Sequence, residues 1–158
     1  MEQPNLEQVI RTYADMVYRL AYAYLRNAAD ADDAFQDVFL KYAEKSPACT
    51  SDEHLKAWLL RVTINRCRSH YRSHWWRHFI PLDEARLSAA PPPSDPELDE
   101  ALTRLPAKYR TVIHLHYFEN YTTSEIAELT GQRESTVRAQ LTRGRKMLEA
   151  LLKGDCDA

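Results

Sequence analysis

Apolar residues recur at steps of three and four along most of the chain, the spacing of helices with a buried face. From Asn5 to Arg26 the stripe is Val9, Tyr13, Met16, Val17, Leu20, Ala21 and Tyr24. The run "RNAADADDAF" interrupts it, and Asp30 is the predicted N-cap of a second helix, Ala31 to Glu44. Asp32 and Asp33 then fall in a first turn, where the helix dipole favours acids, and Phe35, Val38, Phe39 and Tyr42 form the buried stripe. Pro47 marks a loop, after which Ser51 or Asp52 caps a third helix starting near Glu53. This helix has two stripes, Leu55, Trp58, Leu59 and Val62 on one and Leu60, Ile64, Cys67 and Tyr71 on the other, as expected at the centre of a bundle. Further on, "DPELDEALTRL" predicts a short helix capped by Asp95 with Pro96 at its first position. Another begins at Pro106, with Tyr109, Val112, Ile113 and Leu115 as core residues.

The proline distribution divides this all-α pattern in two. Pro81, Pro91, Pro92, Pro93 and Pro96 lie in "PLDEARLSAAPPPSDP", which offers little that could form a core and reads as a semi-rigid linker. The expected organisation is a helical domain over residues 1–80, a linker over 81–96 and a second helical domain over 97–153. No Asn-Gly or Asp-Gly dipeptide suggests a hairpin. No apolar run reaches the roughly 18 residues of a membrane span, and "MEQPNLEQVI" lacks the features of a signal peptide, so a cytoplasmic location is expected. Cys49, Cys67 and Cys156 form no C-x-x-C pair and are expected as reduced thiols.

The formal net charge of −2 hides a segregation. Arg61 to His78, "RVTINRCRSHYRSHWWRH", has five arginines and no acid, and Arg133 to Lys153 is also basic, whereas Pro81 to Thr103 is acidic. Two separate basic segments on a slightly acidic chain imply two localised contacts with a polyanion.

The second basic segment belongs to a motif with defined spacing. Thr122 and Glu125 form a capping box, and Ala127 is small enough for a neighbouring helix to pass close by. Gly131 can take the positive φ of a tight turn, and Val137 closes the core from a second helix. Intervals of four and six between Ala127, Gly131 and Val137 are those of a helix-turn-helix, and Arg138, Gln140, Thr142, Arg143 and Lys146 would then face outward toward a major groove. An ordinary helical hairpin with a solvated charged face lacks that combination.

Three segments resemble the extracytoplasmic-function group of bacterial RNA polymerase sigma factors. In "ADADDAFQDVFLKYAEK", residues Ala31, Asp32, Asp33, Gln36, Asp37 and Phe39 match the group's polymerase-binding pattern. "LKAWLLRVTINRCRSHYR" resembles its promoter-melting segment through Ala57, Trp58, Leu59, Val62 and Asn65, and the segment from Leu105 to Leu148 is similar to its second domain. The resemblance implies a sigma factor without enzymatic activity or cofactor, whose partners are the clamp and flap regions of core polymerase, promoter DNA and an anti-sigma protein. It implies that Asp32, Asp33, Gln36, Asp37 and Phe39 lie on or beneath the clamp-facing surface. It assigns the opened minus-10 strand to Ser46, Ala48 and Thr50 of the loop and to Lys56, Arg61, Asn65, Arg66, Arg68 and Arg72 of the helix. The minus-35 duplex falls to Arg138, Ala139, Gln140, Thr142, Arg143 and Lys146. Arg133 and Ser135 stand where many members have proline and glycine, and Ala139 offers no hydrogen bond.

Melting fits these residues without a catalytic group. Extruding a base costs a few kcal/mol, and aromatic stacking at about 1–3 kcal/mol per base together with phosphate contacts offsets it. A stand-alone helix-turn-helix regulator is the alternative, distinguished by tight duplex binding without polymerase. No metal site is expected. Cys67, His70, His74 and His78 share a stripe, but four ligands along one helix span about 16 Å, too far for one ion. Cys67 is expected in the core and these histidines toward DNA or solvent, while Asp30, Asp32, Asp33 and Asp37 are expected at a protein contact. His114 and His116 read as structural, Trp58 as core, and Trp75 and Trp76 as packing or base-stacking residues.

Overall fold

The computed structural model describes residues 4–72 and 95–154, and among these every regular element is helical. The linker read over 81–96 falls, up to residue 94, outside the described residues, as do His74, Trp75, Trp76, His78 and the side chains of Tyr71 and Arg72. The chain divides into two compact units, the first ending at Pro91 and the second starting at Pro92.

Among the described residues the first unit has three helices: α1 (Leu6–Leu25), α2 (Ala28–Lys45) and α3 (Asp52–Arg72). Asn5 caps α1 through a reciprocal capping box with Gln8, and Arg26 ends it in the left-handed conformation, φ 50°. The α2 start differs from the expectation. Asn27, not Asp30, is the N-cap, and its side chain accepts the Asp30 backbone N–H at 2.9 Å. Asp30 is thereby placed inside the first turn, where its side chain is buried. Both stripes of α3 are buried: Leu55 and Leu59 on one side, Leu60, Ile64 and Cys67 on the other, packed among Val17, Leu20 and Ala21 of α1 and Ala31, Ala34 and Val38 of α2. The helix packs against both α1 and α2, in keeping with the doubled stripe. Trp58 is half-buried rather than core, its ring edge-on to Tyr42 at 5.9 Å.

The second unit holds α4 (Pro96–Arg104), α5 (Ala107–Ile113), α6 (Thr123–Thr130) and α7 (Glu134–Lys153). Asp95 caps α4 with Pro96 in its first turn. Where one continuous helix is expected after Pro106, α5 widens into a π turn over His114–Phe118, closed by the Glu119 N–H to the His114 carbonyl at 3.2 Å. The buried Arg110 guanidinium donates to the Leu105 carbonyl, satisfying the end of α4. The helix-turn-helix forms as its spacing demands: Thr122 and Glu125 make the capping box, and Gly131 takes φ 69° at the turn. Val137 is fully buried.

A close helix approach that the spacing does not name lies at Gly144. Gly144 of α7 is buried against α5, and a Cβ there would lie 2.9 Å from Ile113 Cδ1 and 3.1 Å from Tyr109 Cβ. The "TRGR" glycine is a packing residue, not a turn residue.

Candidate functional site

In the first unit, α2 presents acids and α3 presents cations, and the two rows meet. Asp32 is nearly buried and accepts a hydrogen bond from Gln36 Nε2 at 3.2 Å, while Gln36 itself is exposed and Asp33 half-buried. Asp37 Oδ2 lies 2.6 Å from Arg66 Nη2 across to α3. Phe39 is buried beneath this face, edge-on to Phe35 at 5.0 Å. Leu40 is 65 % exposed beside them and belongs to none of the sets drawn from sequence. The signal for it is an apolar side chain one step off the Phe35–Phe39–Tyr42 stripe. Asp37, Leu40, Lys41 and Glu44 of α2, with Val62, Asn65, Arg66 and Ser69 of α3, line a groove of about 530 Å³.

Arg61, Asn65 and Arg68 are spaced four and three apart on one face of α3, the first two exposed and the third half-buried, with Lys56 half-buried one turn earlier. Ser46, Ala48 and Thr50 are exposed on the α2–α3 loop. The loop is held between them by Cys49, which is buried, and by the Thr50 N–H donating to His54 Nδ1 at 3.2 Å. Burial pushes the Cys49 thiol up, and it pushes that of the core residue Cys67 to about 12.

Two expectations need correction here. His70 does not face DNA or solvent, and Asp30 is not a surface contact: both are buried, with Nε2 of His70 3.0 Å from Oδ1 of Asp30. The reason is local. Starting α2 at Asn27 turns Asp30 inward, and the Cys67 stripe, extended one turn, carries His70 into the core opposite it. Among the described residues no group of three or more His, Cys, Asp or Glu side chains is arranged to hold a metal.

In the second unit, α7 buries Val137, Leu141 and Gly144 and exposes Arg138, Ala139, Thr142, Arg143 and Lys146. Gln140 is half-buried instead, donating to Gln132 Oε1 at 2.8 Å. Glu134 and Arg145 also belong to this face although the spacing argument passes over them. Glu134 Oε1 accepts from the Thr123 hydroxyl at 2.9 Å and from Arg138 Nη2 at 2.7 Å. The Thr123 hydrogen bond first, then Arg138, hold the Glu134 carboxyl below the ordinary glutamate value. Arg145 donates to the Tyr117 hydroxyl at 2.7 Å, at the edge of an exposed Tyr117–Phe118 pair.

The geometry is therefore two cationic faces, one on each unit, with an acidic row beside the first. The Sigma-70 region 2 family matches residues 9–77, and Sigma-70, region 4 matches residues 96–148. The RNA polymerase sigma factor SigV of Bacillus subtilis is 29% identical over 140 residues, 85% of this chain and 83% of that protein. The ECF RNA polymerase sigma factor SigM of Mycobacterium tuberculosis is 28% identical over 149 residues, 92% of this chain and 76% of that protein. A solved structure of the sigma factor RpoE in complex with the anti-sigma factor NepR from Bartonella quintana shares the fold, with a TM-score of 0.71, at 23% identity over 95% of this chain and 98% of that one. With both sigma-70 regions present in order, and sigma factors matched across most of the chain, this chain belongs to the extracytoplasmic-function group of the sigma-70 family.

Proposed function

We propose that this chain divides promoter recognition between its two cationic faces. It is a sigma factor: it binds core RNA polymerase, recognises minus-10 and minus-35 elements and promotes promoter melting and initiation. In the reading at residue level, Asp33, Gln36 and Asp37 meet the polymerase clamp, with Asp32 and Phe39 supporting them from beneath. Ser46, Ala48, Thr50, Lys56, Arg61, Asn65, Arg66, Arg68 and Arg72 hold the opened minus-10 strand. Arg138, Ala139, Gln140, Thr142, Arg143 and Lys146 meet the minus-35 duplex. The carrying observation is the row on α7, where Arg138, Thr142, Arg143 and Lys146 are exposed on the side opposite Val137 and Leu141.

Melting follows from differential binding. The chain holds the opened strand better than the duplex, and that difference shifts the promoter toward the open state without any group reacting. No catalytic residue and no cofactor enter this reading. Sigma factors work where the polymerase is, so the cytoplasm is the proposed location; among the described residues no helix is long and apolar enough to cross a membrane. An anti-sigma protein is the proposed regulatory partner, and the flap the proposed second polymerase contact.

Run-off transcription with purified core polymerase on a promoter library tests the reading. Promoter-dependent transcripts are expected only when both proteins are present. Tight operator binding by the free chain, with no transcript, would replace it with the stand-alone regulator.

A further inference from the structure

Two residues with different proposed tasks touch in the first unit. Asp37 belongs to the acidic row assigned to polymerase and Arg66 to the cationic row assigned to the opened strand, yet their carboxylate and guanidinium are 2.6 Å apart. Both line the groove between α2 and α3, so whatever enters it meets them together. Each side chain remains more than a third exposed, at 41% and 36%. Arg66 Nε is buried without a hydrogen-bond partner, so the pairing leaves one guanidinium donor unused.

We propose that Asp37 is a positioning residue for Arg66. In the free chain the ion pair holds the guanidinium against α2; a polymerase element that enters the groove and engages Asp37 frees Arg66 for the phosphates of the opened strand. Strand affinity then rises when polymerase is bound, through one shared carboxylate. The inference rests on the reading above, in which Arg66 faces the strand and Asp37 the polymerase. A half-exposed ion pair suits this use because it shifts an equilibrium by no more than about fivefold and yields to a competing partner. The His70–Asp30 contact, buried in the same unit, offers a competing partner no such access.

The test measures binding of a fluorescein-labelled single-stranded DNA of mixed sequence to the full chain, alone and with saturating core polymerase. For the free chain, Asp37→Asn is expected to tighten binding about three- to fivefold. Asp37→Glu, which keeps the charge, is expected to match the wild type, and Asp37→Asn should give no gain in an Arg66→Ala background. With polymerase saturating, the Asp37→Asn gain should vanish. Absence of a gain in the free chain overturns the latch, and so does a gain that persists without Arg66, since that would be general removal of negative charge. If Arg66→Ala leaves strand binding by the polymerase-bound chain unchanged, the assignment of Arg66 to the strand itself is wrong, a failure distinct from the other two.

Discussion

The helices proposed to meet DNA differ in how much of their surface the fold consumes. α3 is buried on two sides, by Leu55 and Leu59 on one and by Leu60, Ile64, Cys67 and His70 on the other, so its cations occupy the strip that remains and meet the acids of α2 there. α7 buries a single stripe, Val137, Leu141 and Gly144, and leaves most of its circumference open. On α3 a residue serves structure and binding at once. On α7 the two jobs fall to different residues, so they should be separable by mutation.

The largest effect that could break this contrast is Asp30→Ala. It removes the carboxylate 3.0 Å from His70 Nε2 and leaves a buried polar group with one neighbour fewer, at an expected cost of about 3 kcal/mol to the first unit, read from hydrogen exchange of the α3 amides. Strand binding should fall with it. A loss below about 1 kcal/mol would show that the core tolerates His70 without Asp30 and that the inner face of α3 is less tied to its cationic strip. Next is Gly144→Val, whose added atoms meet Ile113 and Tyr109; overpacking there should cost the second unit about 1–3 kcal/mol in calorimetry. Thr142→Val, exposed on the same helix, should change stability by less than about 0.5 kcal/mol. Similar losses from both would remove the separation of jobs on α7.

Arg138→Ala with Arg143→Ala should then weaken minus-35 duplex binding by about 1–3 kcal/mol per lost base contact, with core polymerase association intact. Asp33→Ala with Gln36→Ala should do the reverse. Fluorescence anisotropy with labelled duplex and with labelled core polymerase reads both arms, and equal loss in both would end the division of labour.

Much of this was legible because its physics is local. The doubled stripe of α3 follows from apolar spacing, and the helix-turn-helix follows from Thr122, Glu125, Gly131 and Val137, each of which has one conformational task that sequence distance specifies. What was not legible depends on pairs far apart in the chain. Asp30 and His70 are forty positions apart, and each alone reads as a surface residue; only the α2 cap at Asn27 and the register of α3 bring them together. The same holds for Asp37 with Arg66, and for Gly144, whose role depends on Tyr109 and Ile113 crossing beside it. Leu40 is not legible in this way, because helical periodicity marks the apolar residues that turn inward and Leu40 stays outside.

The smallest effect tests whether α7 also has a shared residue. Glu134, at the first position of α7, accepts from Thr123 at the first position of α6 and from Arg138, so one carboxylate ties together the two helix starts and a proposed DNA-facing arginine. Its carboxyl lies below the ordinary value of 4.5, chiefly through the Thr123 hydrogen bond and then through Arg138. A native value below the unfolded one means that the unfolded chain takes up the proton more readily, so the contribution is fully present above 4.5 and is lost as pH falls through the lower native value. A carboxyl-carbon NMR titration should show the Glu134 midpoint rising in Thr123→Val, and rising less in Arg138→Ala. The opposite order would mean that Arg138, not the hydroxyl, holds the carboxylate. Glu134 would then be to Arg138 what Asp37 is to Arg66, and the contrast between the two helices would narrow to the depth at which each latch lies.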